Sequence, residues 1–367
     1  MLRQHRRRGA IDEPITVMTR TPTSRSADPA PDASASQRPQ RPVVTVAVPM
    51  RNEAGYIDRC LASFAAQTWP YELLDVLVID AGSTDGSREF VDEFAKDHAW
   101  VRVVDNPVGS AAAAFNIGMH QANGDTVCLF SSHGVADPRY CEAGVTALLE
   151  SGASGVGGQY HHVGEDPRSM AIGLAMVSPV GMASPHRFAS ERKDVDTISH
   201  PMYWRDAMLS IGDFDERLAR NSDYEFNHRM TEAGHRLIFD PTVESIYRPR
   251  PNLAALSRQF WHYGRWKARV AEAHPSSIRG RHLVAPAAVT GAALSPALVA
   301  SGRMGRLSVA AAALGYLGVI GFGVRHARPT EHGADPLVLA AAFPTMHASW
   351  GAGFVATVLQ RLFGRST

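Results

Sequence analysis

VVTVAVPMRNE (43–53) and LLDVLVIDAGSTDGS (73–87) are two short apolar runs, each ending in a cluster of turn-forming and acidic residues. Continuous β-branched and aliphatic runs of this length, separated by a helical stretch, predict buried parallel strands of a βαβ unit. Ligands of such a sheet sit at the carboxyl ends of its strands. Both polar clusters fall at such an end, so the carboxylates of Glu53, Asp80 and Asp85 are placed to face one ligand. The small residues around them let that ligand approach the backbone closely. The outline is that of a nucleotide site in an α/β domain.

VAVPMRNE and VIDAGSTDGS, in this order and separation, resemble the start of a family 2 glycosyltransferase, of the membrane-attached succinoglycan-biosynthesis glucosyltransferase type. The resemblance implies a GT-A, Rossmann-like fold that holds a nucleoside diphosphate sugar between the two loops. It implies donor contacts at Pro49, Arg51, Glu53, Asp80, Ser83 and Asp85. The alternative is a generic α/β turn, because Gly-Ser-Thr-Asp is common loop chemistry.

The composition is globular, with 45% hydrophobic and 20% charged residues, and a formal net charge of +1 argues against a nucleic-acid binder. Cys60, Cys128 and Cys141 stand at no metal or disulfide spacing and are expected to be reduced packing residues. Residues 1–41 are Arg-, Pro- and Ser-rich without a hydrophobic period, and we expect a disordered tail there. A catalytic domain is expected over 42–275 and a membrane region over 276–367.

GSREFVDEFAKDHAW (86–100) has the apolar spacing of a surface helix and leads into a strand at VRVVDN (101–106). GSAAAAFNIGMHQANG (109–124) predicts a second helix, followed by the strand TVCLF (126–130). In the family the helix follows a loop at the donor pocket and carries an Asn at the position of Asn116. The strand normally ends in an Asp-x-Asp motif that binds a divalent metal and the donor's diphosphate. Here those positions are Ser131 and His133, with Ser132 between them. Serine is a poor substitute for carboxylate toward a hard cation. Three readings stay open: Mg²⁺ or Mn²⁺ held through His133, the diphosphate and water; neutralisation of the leaving group by arginine; or impaired catalysis in a sugar-nucleotide binding membrane protein. His133 as a plain turn residue is a fourth.

Residues 159–200 carry His161, His162, His186 and His200 without metal spacing, and we expect a mobile loop there with an apolar helix near 170–180. Gly212-Asp213-Phe214-Asp215-Glu216 and the following Asn221-Ser222-Asp223 resemble the family's Gly-Gly-Phe-Asp turn and acidic pair. The resemblance makes Asp223 the general base that deprotonates the acceptor hydroxyl. The alternative is a capped helix starting at Asn221 or Ser222. Glu225 would face elsewhere and serve in a salt bridge. Arg258–Lys267 resembles the family's RQYFRYGxWK segment, which places Arg265 near the diphosphate and Gln259 and Trp266 on the acceptor or membrane side. An amphipathic helix on the bilayer is the other reading.

Three apolar runs follow at 283–300, 307–324 and 337–359, separated by short Arg-bearing loops. They predict two or three membrane helices, with an interfacial placement open for one of them. The resulting expectation is a multi-pass protein of the cell membrane with a cytoplasmic catalytic domain. It would be an inverting transferase moving a sugar from a UDP-sugar to a lipid-linked saccharide in exopolysaccharide synthesis, with polysaccharide-assembly proteins as partners.

Overall fold

The computed structural model describes residues 38–181, 189–218 and 220–364. Nearly all of the expected tail lies outside them, but its last part is docked: Arg38 pairs with Asp206 at 2.5 Å and stacks over the Trp204 ring at 4.4 Å.

The first apolar run becomes β1 (Val44–Met50) and the second β2 (Leu74–Asp80), paired in parallel from Val44 opposite Leu74 to Met50 opposite Asp80. β2 is buried along its whole length, which is why its sequence reads as one apolar stretch. It carries two buried acids, Asp75 and, at its end, Asp80; Asp75 is held by both ends of the Arg102 guanidinium at 2.6 and 2.9 Å and by the Thr45 hydroxyl at 2.8 Å. β3 (Val101–Asp105) and β4 (Thr126–Leu129) continue the parallel part on either side. Helices α1 (Ile57–Ala65), α2 (Ser87–Asp97) and α3 (Ala111–Gln121) make the connections.

Beyond β4 the sheet turns mixed. It adds β5 (Gly134–Ala136), β6 (Gly155–His162), the two-residue β7 (Lys193–Asp194), β8 (Met202–Trp204) and the long β9 (Leu237–Tyr247), in the order β3-β2-β1-β4-β8-β6-β9-β5 with β7 on β9. Helices α4 (Tyr140–Ser151), α5 (Pro167–Val177), α6 (Arg205–Ile211) and α7 (Ser222–Glu232) fill the intervals. Part of the stretch expected as a mobile loop is therefore built: His161 pairs with Glu244 at 2.9 Å and His200 with the Ser245 hydroxyl at 3.1 Å. His186 lies outside the described residues. Cys60, Cys128 and Cys141 are free thiols buried in the core around this sheet.

A second, smaller core joins α5 to the C-terminal helices. These are α8 (Leu253–Ala273), α9 (Arg281–Ala300), α10 (Arg303–Ala327) and α11 (Pro336–Leu362). Two of them, α9 and α10, are long and apolar enough to cross a bilayer, and only 11% and 6% of their spanning windows are buried within the protein. The third apolar run behaves differently. α11 lays Leu339, Phe343, Met346 and Trp350 into the second core. The crossing of α8 and α11 is close because glycine faces backbone on both sides: a Cβ on Gly264 would stand 2.0 Å from the Trp350 carbonyl, and one on Gly353 2.3 Å from that of Trp261. The stretch expected as a separate membrane region thus includes a helix that is part of the catalytic half's packing.

Candidate active site

The loops after β1 and β2 are laced together at the carboxyl edge of the sheet. Asn52 takes a positive φ of 56°, and its backbone N–H donates to the Ser83 hydroxyl at 2.9 Å while its side-chain oxygen accepts from the Thr84 N–H at 2.8 Å. The Glu53 N–H donates to the Ser87 hydroxyl at 2.8 Å, and the Ala54 N–H to Asp85 at 3.0 Å. Asp85 also accepts from the Ser87 hydroxyl, which with the Ala54 N–H holds its carboxyl below the usual carboxylate range. Asp80 accepts from the Ser83 hydroxyl at 2.6 Å and lies 3.6 Å from Arg88. Acid and hydroxyl side chains here order the loops, leaving backbone and small residues to form the rim. Pro49 lies within β1, and exposed Arg51 reaches toward Gly109.

Of the carboxylates expected at the ligand, Glu53 is the one turned toward the end of β4. Its Oε2 lies 3.0 Å from His133 Nδ1. Burial, above all, pushes the Glu53 carboxyl up to about 7; the Ser132 hydroxyl opposes the shift, Asp85 adds to it and Arg250 opposes it. Burial and then Arg250 lower His133 to about 4. Both partners are driven toward their uncharged forms, so the contact is a hydrogen bond and not an ion pair where both are neutral. The Ser131 hydroxyl accepts from the His133 N–H at 3.3 Å, and the Tyr56 ring meets the imidazole edge-on at 4.9 Å.

Among the described residues no three His, Cys, Asp or Glu side chains converge as metal ligands. At the end of β4 the donors are one imidazole and one carboxyl already bonded to each other, with the charge of a guanidinium acting on them. This set does not by itself make a cage for a hard cation.

The cation acting on this pair is Arg250, in the Arg248-Pro249-Arg250-Pro251 segment between β9 and α8. Sequence analysis did not single it out; the paired arginines between prolines were the available signal. Arg250 donates through Nε to Gln259 Oε1 at 3.2 Å, and Gln259, 4% exposed, in turn donates to the Tyr263 hydroxyl at 2.8 Å. Among the described residues no carboxylate pairs with Arg250, and its Nη groups carry no hydrogen bond to protein. Gln259 therefore lies inside the protein as the support of Arg250. Arg265 sits one turn further along α8, where its charge acts with that of Arg220 on His262. Trp266 stacks under Arg269 at 4.4 Å.

Asp223 is exposed in the first turn of α7. Asn221 precedes the helix at φ 61° and donates its amide to the Tyr263 carbonyl at 3.3 Å without capping the helix, so α7 is tied to α8 at this point. Glu225 does face elsewhere: it pairs with Arg229 at 2.7 Å and His274 at 3.0 Å, beside a cavity of about 600 Å³ that lies away from the Glu53–His133 pair. Asn116, on α3, is bonded to the turn before α7. Its amide oxygen accepts from the Phe214 N–H at 2.7 Å and its amide nitrogen donates to the Phe214 carbonyl at 3.1 Å and to Glu216 at 2.9 Å. The side chain is saturated by the turn that leads into α7, and its part is to fix that turn.

The family model of glycosyl transferase family 2 matches residues 45–217. The succinoglycan biosynthesis protein ExoA of Rhizobium meliloti is 30% identical over 84% of this chain and 93% of its own length. A dolichyl N-acetyl-α-D-glucosaminyl phosphate glycosyltransferase of Methanococcus voltae is 25% identical over 60% of this chain and 71% of its own. The mannosyltransferase PcManGT of Pyrobaculum calidifontis, solved with GDP-mannose and Mn²⁺, superposes with a TM-score of 0.61 at 20% identity, covering 89% of this chain and 88% of that one. S. aureus TarS 1–349 with UDP-GlcNAc superposes at 0.51 and 16% identity, covering 88% and 92%. A divalent cation is thus in keeping with the fold, although among the described residues no cluster of three such ligands is formed. On the strength of the extended match to ExoA and the GT-A sheet with its laced nucleotide loops, the chain belongs to glycosyl transferase family 2 and is a glycosyltransferase.

Proposed function

We propose that the protein is a membrane-attached inverting glycosyltransferase of polysaccharide or glycolipid synthesis, moving a sugar from a UDP-sugar to a lipid-linked saccharide at the cytoplasmic face. The observation that carries this reading is the placement of an exposed carboxylate, Asp223, at the head of α7, a helix that Asn221 ties to Tyr263 on α8, while Tyr263 and Gln259 hold Arg250, whose charge acts on the Glu53–His133 pair at the loops. Relatedness to ExoA and the two apolar helices α9 and α10 support the pathway and the membrane attachment.

In this mechanism the nucleotide lies along the loops 50–56 and 80–87, whose internal hydrogen bonds hold the rim in shape before the donor arrives. Asp223 takes the proton of the acceptor hydroxyl as its oxygen attacks the anomeric carbon from the side opposite the diphosphate. The bond to the diphosphate breaks and configuration inverts. Charge growing on the leaving oxygen meets Arg250, whose Nη groups are unengaged and whose Nε is already fixed on a buried amide. A preorganised donor of this kind needs no reorganisation as charge develops. His133, kept neutral by its surroundings, supplies a further N–H.

The test is UDP calorimetry and sugar transfer on the detergent-solubilised chain. Asp223→Asn is expected to abolish transfer while UDP affinity stays within about twofold. Retained turnover would remove Asp223 from the role of base. Arg250→Gln is expected to weaken UDP binding about tenfold or more, and EDTA to change it little. Binding that collapses in EDTA would assign the diphosphate to a cation instead.

A further inference from the structure

A second group of charges lies where the catalytic half meets the first apolar helix, and the mechanism above does not use it. Lys267, on α8, is only 4% exposed. Its Nζ donates to the Ser277 carbonyl at 3.1 Å and stands 3.5 Å from the centroid of the Tyr224 ring. Among the described residues no carboxylate forms an ion pair with it, and the one acidic charge that acts on it, favouring the ammonium, is that of Asp196. Arg279 and Arg281 are close enough for their charges to act on it; together with burial, the larger cause, they bring the ammonium down to about 7. Both guanidiniums lean on one oxygen of one acid, Asp196 Oδ2, at 3.6 and 3.2 Å. Three cationic side chains thus share a single carboxylate. Removing lysine from water without a paired acid is costly unless an anion completes the site.

Position narrows the anion. Arg281 is the first residue of α9, so the group sits at the foot of a helix apolar enough to enter a bilayer, the end at which basic side chains meet lipid phosphates when such a helix spans. Tyr224, beneath Lys267, is the neighbour of Asp223, and Lys267 follows Tyr263 by one turn of α8. The group is thus built on the same two helices, α7 and α8, that carry and tie down Asp223.

We propose that Lys267, Arg279 and Arg281 form a binding site for the phosphate of a polyprenyl-type acceptor, anchoring the lipid end while its sugar reaches Asp223. This rests on the reading that the acceptor is lipid-linked. Arginine forks suit phosphate oxygens, and a buried lysine adds a point charge behind them. Asp196 holds the two guanidiniums until the phosphate displaces it.

The experiment uses the full chain in phosphatidylcholine nanodiscs and three probes: farnesyl diphosphate, farnesol and UDP. Arg279→Gln/Arg281→Gln is expected to weaken farnesyl diphosphate about tenfold or more, leaving farnesol and UDP unchanged; Asp196→Asn is expected to tighten it. Both arginines are partly exposed, so this variant spares the core, and Lys267→Met, the buried change, should follow the same pattern. Unchanged affinity for farnesyl diphosphate would overturn the proposal. So would an equal loss for UDP, which would give these cations to the donor. Nanodiscs with a third of phosphatidylglycerol separate the two sources of lipid phosphate: if they erase the difference between wild type and variant, bulk headgroups fill the site and the acceptor assignment falls. Failure of the wild type to bind UDP would instead strike the donor reading above, with the farnesyl diphosphate arm still decisive for this site.

Discussion

The pairing of Glu53 with His133 gives two titrations of opposite sign. Folding raises Glu53 from 4.5 to about 7, so between these values the folded chain keeps a proton that the unfolded chain has lost. Stability from this group therefore falls as pH rises through that window. Folding lowers His133 from 6.5 to about 4, so the unfolded chain holds the extra proton and stability rises with pH across that interval. The two slopes oppose one another in the wild type. Glu53→Gln should leave the histidine contribution alone, giving a Tm that climbs from pH 4 to 6.5 more steeply than in the wild type. His133→Asn should leave the glutamate contribution, giving a Tm that declines from pH 4.5 to 7. Thermal unfolding across this range checks both, and parallel shifts of the two variants would show that the pair does not titrate as described.

The α8–α11 crossing supplies a test at the level of helices. A methyl group on Gly264 meets the Trp350 carbonyl, a backbone atom that no rotamer change can move away. Gly264→Ala is expected to destabilise the chain by about 1–3 kcal/mol, whereas Gly318→Ala on α10, where nothing lies within 4 Å, should be neutral or slightly stabilising. Thermal unfolding in detergent would separate them, and equal behaviour would refute the close approach. This crossing also shows what could be seen in the sequence. β1 and β2 were legible because burial on both faces leaves an uninterrupted apolar run, and the loops after them because Asp-Ala-Gly-Ser-Thr-Asp-Gly has few other uses. α11 was legible as a helix but not as a partner of α8, since hydropathy is the same for a side chain facing lipid and one facing protein. Arg250 escaped, and so did the contacts of Asn116, for another reason. Their roles depend on Gln259 and Phe214, contacts made by tertiary folding that leave no local period.

The C-terminal helices form one packing unit with the catalytic half. Arg361 pairs with Glu272 at 2.7 Å, and the Asp335 N–H donates to the Pro167 carbonyl at 2.9 Å, so α11 is fastened to both α8 and the start of α5. A fragment ending at Arg279 would lose the two apolar helices and also the cover over Ile172, Leu256 and Phe260. It is expected to require detergent for solubility in spite of lacking α9 and α10, and to unfold at a lower temperature than the full chain. Sedimentation and thermal unfolding of the two proteins test this, and a soluble fragment of unchanged Tm would show that α11 is dispensable to the catalytic half.

The seam between α8 and α11 has a consequence for how the protein is made. Translation delivers the nucleotide loops early, and the parallel strands can pair while the ribosome is still working. The apolar faces of α5 and α8 must wait for α11, which emerges only after α9 and α10 have passed. Whatever receives those two helices acts on a catalytic half still missing one wall. Under the membrane attachment proposed above, bilayer insertion precedes completion of the enzyme, and nascent chains arrested before residue 336 should be more sensitive to protease within α8 than chains released at full length.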